Sequence, residues 1–355
     1  MSAVATFPGM APGRLRELIA RFPACRIAVI GDFFLDKYLD VDPSLASISV
    51  ESGKTAHQVV GVRTSPGVAG TVVGNLSALG AGGLYAIGLS GDDGEGHDLR
   101  AGLKRLQCST DGLRVASDRM TPTYLKPRTV KDPTLAGEHE RYDTKNRTPT
   151  PPELVRDMLT GLDALLPSLD AVIIADQVEM DDCGVITAGM RASLAERARK
   201  FPLVVFWADS RAHIRSFRNI IIKPNQFEAV GMVDPPPGLE IDTERLLGAV
   251  PGLRRQVGAP VCVTLGPRGM LVSDPGVTLV PGVRVDGPID ITGAGDSATA
   301  GTVLALASGA SLAEAALVGN LVASITIQQL AVTGTAAPNQ LPERLALWQT
   351  QRNGG

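Results

Sequence analysis

Short runs of apolar, β-favouring residues recur along the chain, with stretches of helical pattern between them. Each run is continuously apolar instead of alternating with polar residues, which is typical of strands covered on both faces. Strands that alternate with helices in this way favour βαβ units. The pattern therefore predicts an α/β fold, with a doubly wound, mostly parallel sheet flanked by helices. The predicted strands are Ile27–Ile30, Leu84–Leu89, Val172–Ala175, Leu203–Trp207, Ile220–Ile222 and Val261–Leu265.

Small or polar residues stand where several of these predicted strands end. In doubly wound sheets, ligands bind beyond the carboxyl ends of the strands. These positions therefore outline one candidate cleft. They are Gly31, Asp32, Asp176, Asp209, Asn225 and Gly266.

Two segments, at about residues 37–64 and 119–148, interrupt the alternation of strands and helices. Both are polar, β-leaning and poor in helical periodicity. We predict that they form a small β lid beside the cleft, and long surface loops are the alternative. The chain is then one domain, residues 1–355, with the lid segments inserted in an α/β core.

Composition and charge exclude several classes of protein. The hydrophobic content of 44% and charged content of 20% are unlike those of a disordered chain. A formal net charge of −3 indicates neither a nucleic-acid partner nor an anionic membrane surface. The most apolar stretch, residues 302–330, is interrupted by polar residues and predicts two buried helices instead of a membrane span. With no apolar signal segment at the start, and four widely separated cysteines expected to be reduced thiols, the sequence predicts a cytoplasmic protein.

The segment Asp290–Asp296 reads D-I-T-G-A-G-D and precedes a small-residue helix. The free backbone N–H groups of Gly293, Ala294 and Gly295 can form an anion hole at the start of that helix. Asp296 would lie beside the hole and could accept a proton from a substrate hydroxyl. The alternative is an ordinary glycine-rich turn in which Asp296 caps the helix.

Two further segments have features of a phosphate or nucleotide site. Lys223–Glu228 reads K-P-N-Q-F-E, in which Asn225 and Glu228 can hold phosphates and a magnesium-bound water. The same two residues can cap a helix, and both interpretations can hold together. Thr264–Gly269 reads T-L-G-P-R-G, whose glycines would let a nucleotide lie against the backbone. A simple hairpin turn is the alternative for the second segment.

Taken together, these segments resemble the ribokinase-like (PfkB) family of sugar kinases, from Arg26 to about Ala336. The D-x-T-G-A-G-D signature is the most specific element. Within the family, the chain looks most like the heptose-phosphate kinase domain of the ADP-heptose synthesis enzymes. That closer resemblance rests on V-I-G-D-F-F-L-D-K-Y (Val29–Tyr38), P-T-Y-L-K-P-R (Pro122–Arg128) and E-R-Y-D (Glu140–Asp143).

The resemblance implies an ATP-dependent kinase that uses Mg²⁺ and, through a monovalent site, K⁺. It implies that Asp296 is the base and that Gly293, Ala294 and Gly295 form the anion hole. Asp36 would contact the sugar hydroxyls, and Asp290 would help to hold the monovalent cation. Glu228 would hold Mg²⁺ through water, and the lid strands would mediate a homodimer. The nucleotide would be bound by Asn225, Glu228, Thr264, Gly266, Gly269 and, near the adenine, Asn320.

The departures from the family pattern lie on the substrate side. The family's Gly-Gly pair is here Gly67-Val68, and the asparagine that binds sugar is replaced by Thr71. Lys126, Arg128 and Arg141, in the predicted lid, would suit a phosphorylated or acidic sugar. Solvated charge paired with neighbouring acids is the alternative.

We therefore expect ATP-dependent phosphorylation of a hydroxyl on a sugar or sugar phosphate. A non-catalytic sugar or nucleotide sensor on the same fold is the alternative. A dinucleotide-binding dehydrogenase is disfavoured, because the segment after the first predicted strand reads G-D-F-F-L-D instead of G-x-G-x-x-G. No G-x-x-x-x-G-K-[ST] motif of a P-loop kinase occurs.

Overall fold

The computed structural model describes residues 4–353, except residues 131, 133–136, 237, 275 and 331. The helices are α1 Pro12–Arg21, α2 Ala69–Ala78, α3 Gly94–Arg105, α4 Pro152–Leu165, α5 Ala188–Lys200, α6 Gln226–Ala229, α7 Thr243–Val257, α8 Ala294–Ala307, α9 Leu312–Thr326 and α10 Leu341–Asn353. The strands are β1 Ala5–Thr6, β2 Arg26–Gly31, β3 Phe33–Val41, β4 Ser47–Ile48, β5 Thr55–Ala56, β6 Val59–Val68, β7 Gly83–Gly91, β8 Cys108–Ala116, β9 Thr123–Thr129, β10 Tyr142–Thr144, β11 Ala171–Asp176, β12 Val205–Ser210, β13 Ile221–Ile222, β14 Val261–Thr264, β15 Gly269–Ser273 and β16 Val277–Pro281.

The core is a ten-stranded sheet in the order β1-β16-β15-β14-β13-β12-β11-β2-β7-β8. All neighbouring strands are parallel except in the β14–β15 and β15–β16 pairs, which are antiparallel. This confirms the predicted α/β fold with a mostly parallel sheet. The hairpin strands β15 and β16 and the edge strands β1 and β8 were not predicted.

Helices cover both faces of the central strands, as the continuously apolar runs predict. In β2, Ile27 and Val29 belong to the core formed with α1, α2, α8, α9 and α10. Ala28 and Ile30 belong to the core formed with α4, α5 and α7. One predicted boundary was wrong: the strand predicted at Leu203–Trp207 is Val205–Ser210, and Leu203 is exposed because it lies in the turn before the strand.

The two apolar helices predicted within residues 302–330 correspond to α8 and α9, which are largely buried and pack against each other. Within the described ranges, the helices are too short or too polar to cross a bilayer. All four cysteines are free and buried.

A second sheet of four strands, in the order β10-β9-β3-β6, lies beside the central sheet. Its strands fall largely in the two segments predicted as a lid. The first segment was predicted too short, because β3 begins at Phe33 and β6 ends at Val68. Only Asp32 separates β2 from β3, so the second sheet continues directly from the carboxyl end of a core strand. Residues 131 and 133–136 of the second lid segment lie outside the described residues. Closure of this sheet over the cleft stays a prediction.

Candidate active site

A cleft of about 520 Å³ lies between the second sheet, the start of α8 and the carboxyl ends of β11 and β12. It is at the edge of the sheet where parallel strands place their ligands. Several residues that the sequence singled out line it together. These are Asp36, Thr71, Lys126, Arg141, Glu228, Gly293, Gly295 and Asp296.

Asp296 lies in the first turn of α8, directly after the glycine-rich turn. Gly293 is the N-cap and has a φ of +76°, a left-handed conformation that favours glycine. Burial raises the pKa of Asp296 to about 7, the negative charge of Asp209 adds to the rise, and Lys223 opposes it. A carboxylate with a pKa near neutrality can accept a proton in the transition state of a neutral-pH reaction.

The predicted anion hole of three free amides is not formed as expected. The Ala294 N–H donates a hydrogen bond of 3.1 Å to the Ile291 carbonyl, because residues 291–294 form a tight turn. The turn is packed closely, since a Cβ added to Gly293 would lie 2.9 Å from the Thr333 methyl carbon and 3.5 Å from that of Thr71. Around this turn the cleft is lined by Thr292, Gly293 and Gly295 but not by Ala294.

A buried lysine, which the sequence analysis left without a role, faces the same turn. The Lys223 Nζ would be 3.5 Å from a Cβ added to Gly295, and it forms an ion pair of 2.8 Å with Asp209. Burial lowers the pKa of Lys223, but the charge of Asp209 and its hydrogen bond outweigh that effect, so the pKa lies above its usual value. Lys223 thus brings a fixed positive charge to the turn that precedes Asp296.

Asn225 and Glu228 form a capping box at the start of α6. The Asn225 side-chain oxygen Oδ1 accepts the Phe227 and Glu228 N–H groups at 2.8 and 3.0 Å, and the Glu228 carboxylate accepts the Asn225 N–H at 2.7 Å. Burial raises the pKa of Glu228 to about 7, and the charge of Asp209 adds to the rise. Glu228 lines the cleft but Asn225 does not, because its side-chain oxygen is engaged in the cap.

The other residues predicted to bind the nucleotide lie outside the lining of the cleft, at the β14–β16 edge of the sheet. Gly266 and Gly269, with φ values of +58° and +97°, lie in the turn that joins β14 to the antiparallel β15, so this segment forms a hairpin. Its role in nucleotide binding stays a prediction. Thr264 ends β14, and its N–H donates to the Pro224 carbonyl at 2.9 Å. The Asn320 side-chain amide donates to the carbonyls of Val280 and Pro281 at 3.1 and 3.2 Å.

At the opposite end of the cleft, Asp36 and Lys126 form a largely buried ion pair of 2.8 Å. Gly67 contributes no side chain, and a Cβ there would lie 2.6 Å from an Asp36 carboxylate oxygen, so a larger residue would displace that carboxylate. Arg128 was predicted to reach the substrate but does not line the cleft. It is buried in β9 opposite Asp40, whose pKa is lowered chiefly by the hydrogen bond from Arg63 and also by the charge of Arg128.

Val68 lines the cleft with a backbone conformation that valine rarely adopts. Its φ is +55° and its ψ is −110°. A β-branched residue at positive φ is strained. The side chain packs with Tyr124 against a small apolar cluster around Phe34, so this part of the cleft wall is apolar.

The cleft also contains side chains to which the sequence analysis gave no role. Asp176 was noted only as a residue at a strand end; burial raises its pKa to about 6, and the charge of Asp32 adds to the rise. Its carboxylate accepts the Ser210 hydroxyl at 2.8 Å. The unassigned residues of the cleft include Tyr124, Lys145, Asp176, Gln177, Asp209 and Arg211.

Asp290 stabilises the glycine-rich turn from outside the cleft. Its carboxylate accepts the Thr292 N–H at 2.9 Å, and its own N–H donates to the Ile327 carbonyl at 2.8 Å. The monovalent-cation role of Asp290 stays a prediction. Among the described residues, no group of three or more His, Cys, Asp or Glu side chains is placed to hold a metal ion.

Comparison with known proteins gives concordant matches. Residues 26–339 match the family model described as pfkB family carbohydrate kinase. The bifunctional protein HldE of Desulfatibacillum aliphaticivorans is 29% identical over 326 residues, which cover 91% of this chain and 63% of that protein. HldE of Caulobacter sp. (strain K31) is 30% identical over 327 residues, which cover 89% and 62%. The chain therefore spans less than two thirds of the length of these curated relatives.

Solved structures with the same fold include two sugar kinases. Escherichia coli phosphofructokinase-2 in complex with potassium superposes with a TM-score of 0.68 at 20% identity, covering 91% of this chain and 98% of that one. Thermotoga maritima ribokinase superposes with a TM-score of 0.63 at 18% identity, covering 91% and 99%. At these identities the likeness shows the fold alone, which is ribokinase-like.

Proposed function

The chain belongs to the PfkB family of carbohydrate kinases, and from that premise we propose that it transfers the γ-phosphoryl group of ATP to a hydroxyl of a sugar or sugar phosphate. The observation that carries the proposal is the position of Asp296. It lies at the start of α8, in a cleft that is also lined by Asp209 and, at the other end, by the Asp36–Lys126 pair. The buried Lys223 lies behind the cleft wall, where it pairs with Asp209.

The reaction we propose is an in-line displacement. The acceptor hydroxyl oxygen forms a bond to the γ-phosphorus while the bond from that phosphorus to the ADP oxygen breaks. The hydroxyl proton passes to the Asp296 carboxylate. Negative charge on the transferring group is stabilised by Lys223, by the positive end of the α8 dipole and by the amides of Gly293 and Gly295. The Ala294 amide joins them only if the turn opens and releases its bond to Ile291.

The acidic residues on the nucleotide side of the cleft suit a magnesium ion held largely through water. The charge of Asp209 helps to raise the pKa of both Glu228 and Asp296, so negative charge accumulates on this side of the cleft. Because no three acidic side chains among the described residues are placed to ligate a metal directly, the contact would run through water. Oxygen donors of this kind are what Mg²⁺ prefers, usually with several waters and the substrate phosphates completing its shell. When bound, the ion would neutralise phosphate charge next to Lys223. By analogy with the potassium complex of phosphofructokinase-2, we propose that Asp290 contributes to a K⁺ site beneath the turn.

On the acceptor side, we propose that the Asp36–Lys126 pair binds sugar hydroxyls and that Lys145 binds an anionic group. Lys126 is already neutralised by Asp36 at 2.8 Å, so the pair offers an acceptor and a donor to a neutral hydroxyl. Lys145 lines the cleft and stacks over the Tyr124 ring at 6.0 Å. Across the part of the chain that the structure describes, Lys145 forms no hydrogen bond or ion pair. An unpaired lysine at the cleft favours a sugar phosphate over an unmodified sugar.

The outer face of the second sheet supports a homodimer. Val59, Val60 and Val62 of the edge strand β6 are about half exposed or more. Ile48, in the separate two-stranded β4–β5 sheet of the same lid segment, is 65% exposed. An exposed strand rich in valine readily pairs with another chain. We propose a second copy of this chain as the occupant, and size-exclusion chromatography with light scattering of wild type and Val62→Lys tests it.

The test of the kinase function is ADP release measured on a panel of sugars and sugar phosphates with ATP, Mg²⁺ and K⁺. We expect release that depends on one acceptor and falls at least about 10²-fold in Asp296→Asn, the lower end for loss of a general base. Nucleotide binding should survive in that variant. If no acceptor raises ADP release while ATP still binds, the protein is a sensor on this fold. Near-wild-type turnover in Asp296→Asn would refute the role of Asp296.

A further inference from the structure

The segment after β16 is held in place by the last helix of the chain. The indole N–H of Trp348 in α10 donates to the Pro281 carbonyl at 2.8 Å, and the ring is 1% exposed. The Gln351 side chain bonds both the N–H and the carbonyl of Arg284, at 3.0 and 2.7 Å. Helix α10 begins at residue 341, beyond the residues 26–339 that the family model matches.

Helix α10 is also anchored independently of that segment. The Gln349 side-chain amide donates to the Met10 carbonyl at 3.0 Å, and the Arg352 guanidinium donates to the Phe7 carbonyl. The Arg352 guanidinium also stacks on the Trp348 ring at 4.9 Å. These contacts fix α10 to the N-terminal segment, so the helix can act as a rigid support for residues 281–284.

The supported segment touches the turn predicted to bind the nucleotide. The Gly282 N–H donates to the Arg268 carbonyl at 3.2 Å. A Cβ on Gly282 would lie 2.4 Å from the Pro267 carbonyl oxygen, and one on Gly269 would lie 2.2 Å from the Val280 carbonyl oxygen. The two backbones are therefore in direct contact without intervening side chains. Because close-packed groups transmit displacements, a shift of residues 281–284 shifts the Gly266–Gly269 turn.

We propose that α10 positions the nucleotide-binding half of the site, with Trp348 and Gln351 as the positioning residues. Neither residue lines the main cleft, but both line a smaller cavity of about 340 Å³ that Pro267 and Arg268 of the turn also line. Their hydrogen bonds reach the turn through the backbone at Pro281 and Arg284. The inference rests on the proposed function, because it takes ATP as the molecule bound beside the Gly266–Gly269 turn.

Two glutamines of α10, Gln351 and Gln349, offer a matched pair of variants for the test. Gln351→Ala removes the two bonds to Arg284, whereas Gln349→Ala removes the same side chain from the same helix but breaks only the bond to Met10. In that control the Arg352–Phe7 bond and the buried Leu341 and Leu345 still anchor α10. Trp348→Phe keeps an aromatic ring and removes the bond to Pro281. The dissociation constant of ADP is measured by calorimetry on the full chain, together with the KM values for ATP and acceptor, kcat and Tm.

We expect Gln351→Ala and Trp348→Phe to weaken ADP binding and raise the KM for ATP roughly three- to tenfold, as expected for the loss of about one net hydrogen bond. The acceptor KM and kcat should stay within about twofold, and Gln349→Ala should bind ADP like wild type. Equal ADP binding in Gln351→Ala and Gln349→Ala would overturn the inference, as would a parallel rise in both KM values. Failure of the wild type to bind any nucleotide would refute the proposed function itself, whereas the other two outcomes refute only the positioning role.

Discussion

Val68→Gly should be nearly neutral for stability, although replacing a half-buried valine by glycine normally destabilises a protein. Val68 has a φ of +55°, and such strained conformations cost about 1–3 kcal/mol. Glycine adopts this conformation without strain. Losing half the burial of a valine costs about 1 kcal/mol. The greater backbone freedom of unfolded glycine costs about 0.5–1 kcal/mol. The terms nearly cancel, so the free energy of unfolding should change by less than about 1 kcal/mol.

Val205→Gly is the matched control, because Val205 is also half-buried but lies in the regular strand β12. It has no strain to release, so it should lose about 2 kcal/mol from the same burial and entropy effects. Unfolding in urea, followed by circular dichroism and tryptophan fluorescence, measures both variants against wild type. If Val68→Gly destabilised the protein as much as Val205→Gly, the backbone at Val68 would not be strained. The reasoning about this departure from the family's Gly-Gly pair would then be wrong.

Three further predictions concern the charged groups of the cleft. The pKa of Asp296 is raised to about 7, so kcat should fall as pH decreases through about 7 and the carboxylate becomes protonated; a pH–rate profile that stays flat from pH 8 to pH 5.5 would contradict this. The same raised pKa means that the folded state binds this proton more tightly than the unfolded state, so the wild type loses stability as pH rises from about 4 to about 7. Asp296→Asn should therefore raise Tm more at pH 8 than at pH 4.5. An equal change in Tm at both pH values would refute this link between the pKa and stability. Lys145→Ala should raise the KM for a phosphorylated acceptor about tenfold or more, which corresponds to the loss of one charge-assisted hydrogen bond. Lys54→Ala is the control, because Lys54 lies in the exposed segment before β5. An unchanged KM for Lys145→Ala in steady-state kinetics would show that Lys145 does not bind the phosphate.

Features encoded in short segments could be predicted from the sequence. Strand β11 is buried along its whole length, and the apolar run that predicted it lies within its six residues. The capping box of α6 is likewise contained in Asn225 to Glu228, which is why its structural interpretation was correct. The D-I-T-G-A-G-D segment predicted a glycine-rich turn that leads into a helix with Asp296 near its start, and both are present.

Features that depend on strand register could not be predicted. Lys126 meets Asp36 because β9 lies parallel to β3 with Tyr124 opposite Asp36, and no local pattern encodes that pairing. The same register places Arg128 opposite Asp40, away from the cleft. These two cations, only two residues apart in sequence, therefore have different surroundings.

Pairing between neighbouring strands also explains why the charge beside the glycine turn was missed. Lys223 follows β13 and Asp209 belongs to β12, so their ion pair depends on two adjacent strands ending at the same level. Strand-end position identified Asp209 as part of a cleft, and Lys223 begins the K-P-N motif. Only the two residues considered together, at the ends of adjacent strands, predict the ion pair. The motif also predicted one free donor too many. It indicated an anion hole, but it could not show that the Ala294 N–H is already bonded to the Ile291 carbonyl within the turn.

The most direct test of the account is a ³¹P NMR spectrum of wild-type protein incubated with ATP, Mg²⁺, K⁺ and the acceptor selected by the panel. The account predicts a new phosphoester resonance on the acceptor that grows in equal amount with ADP and is at least about 10²-fold slower to appear with Asp296→Asn. Formation of ADP with inorganic phosphate alone, or of the phosphoester at the same rate with Asp296→Asn, would contradict it.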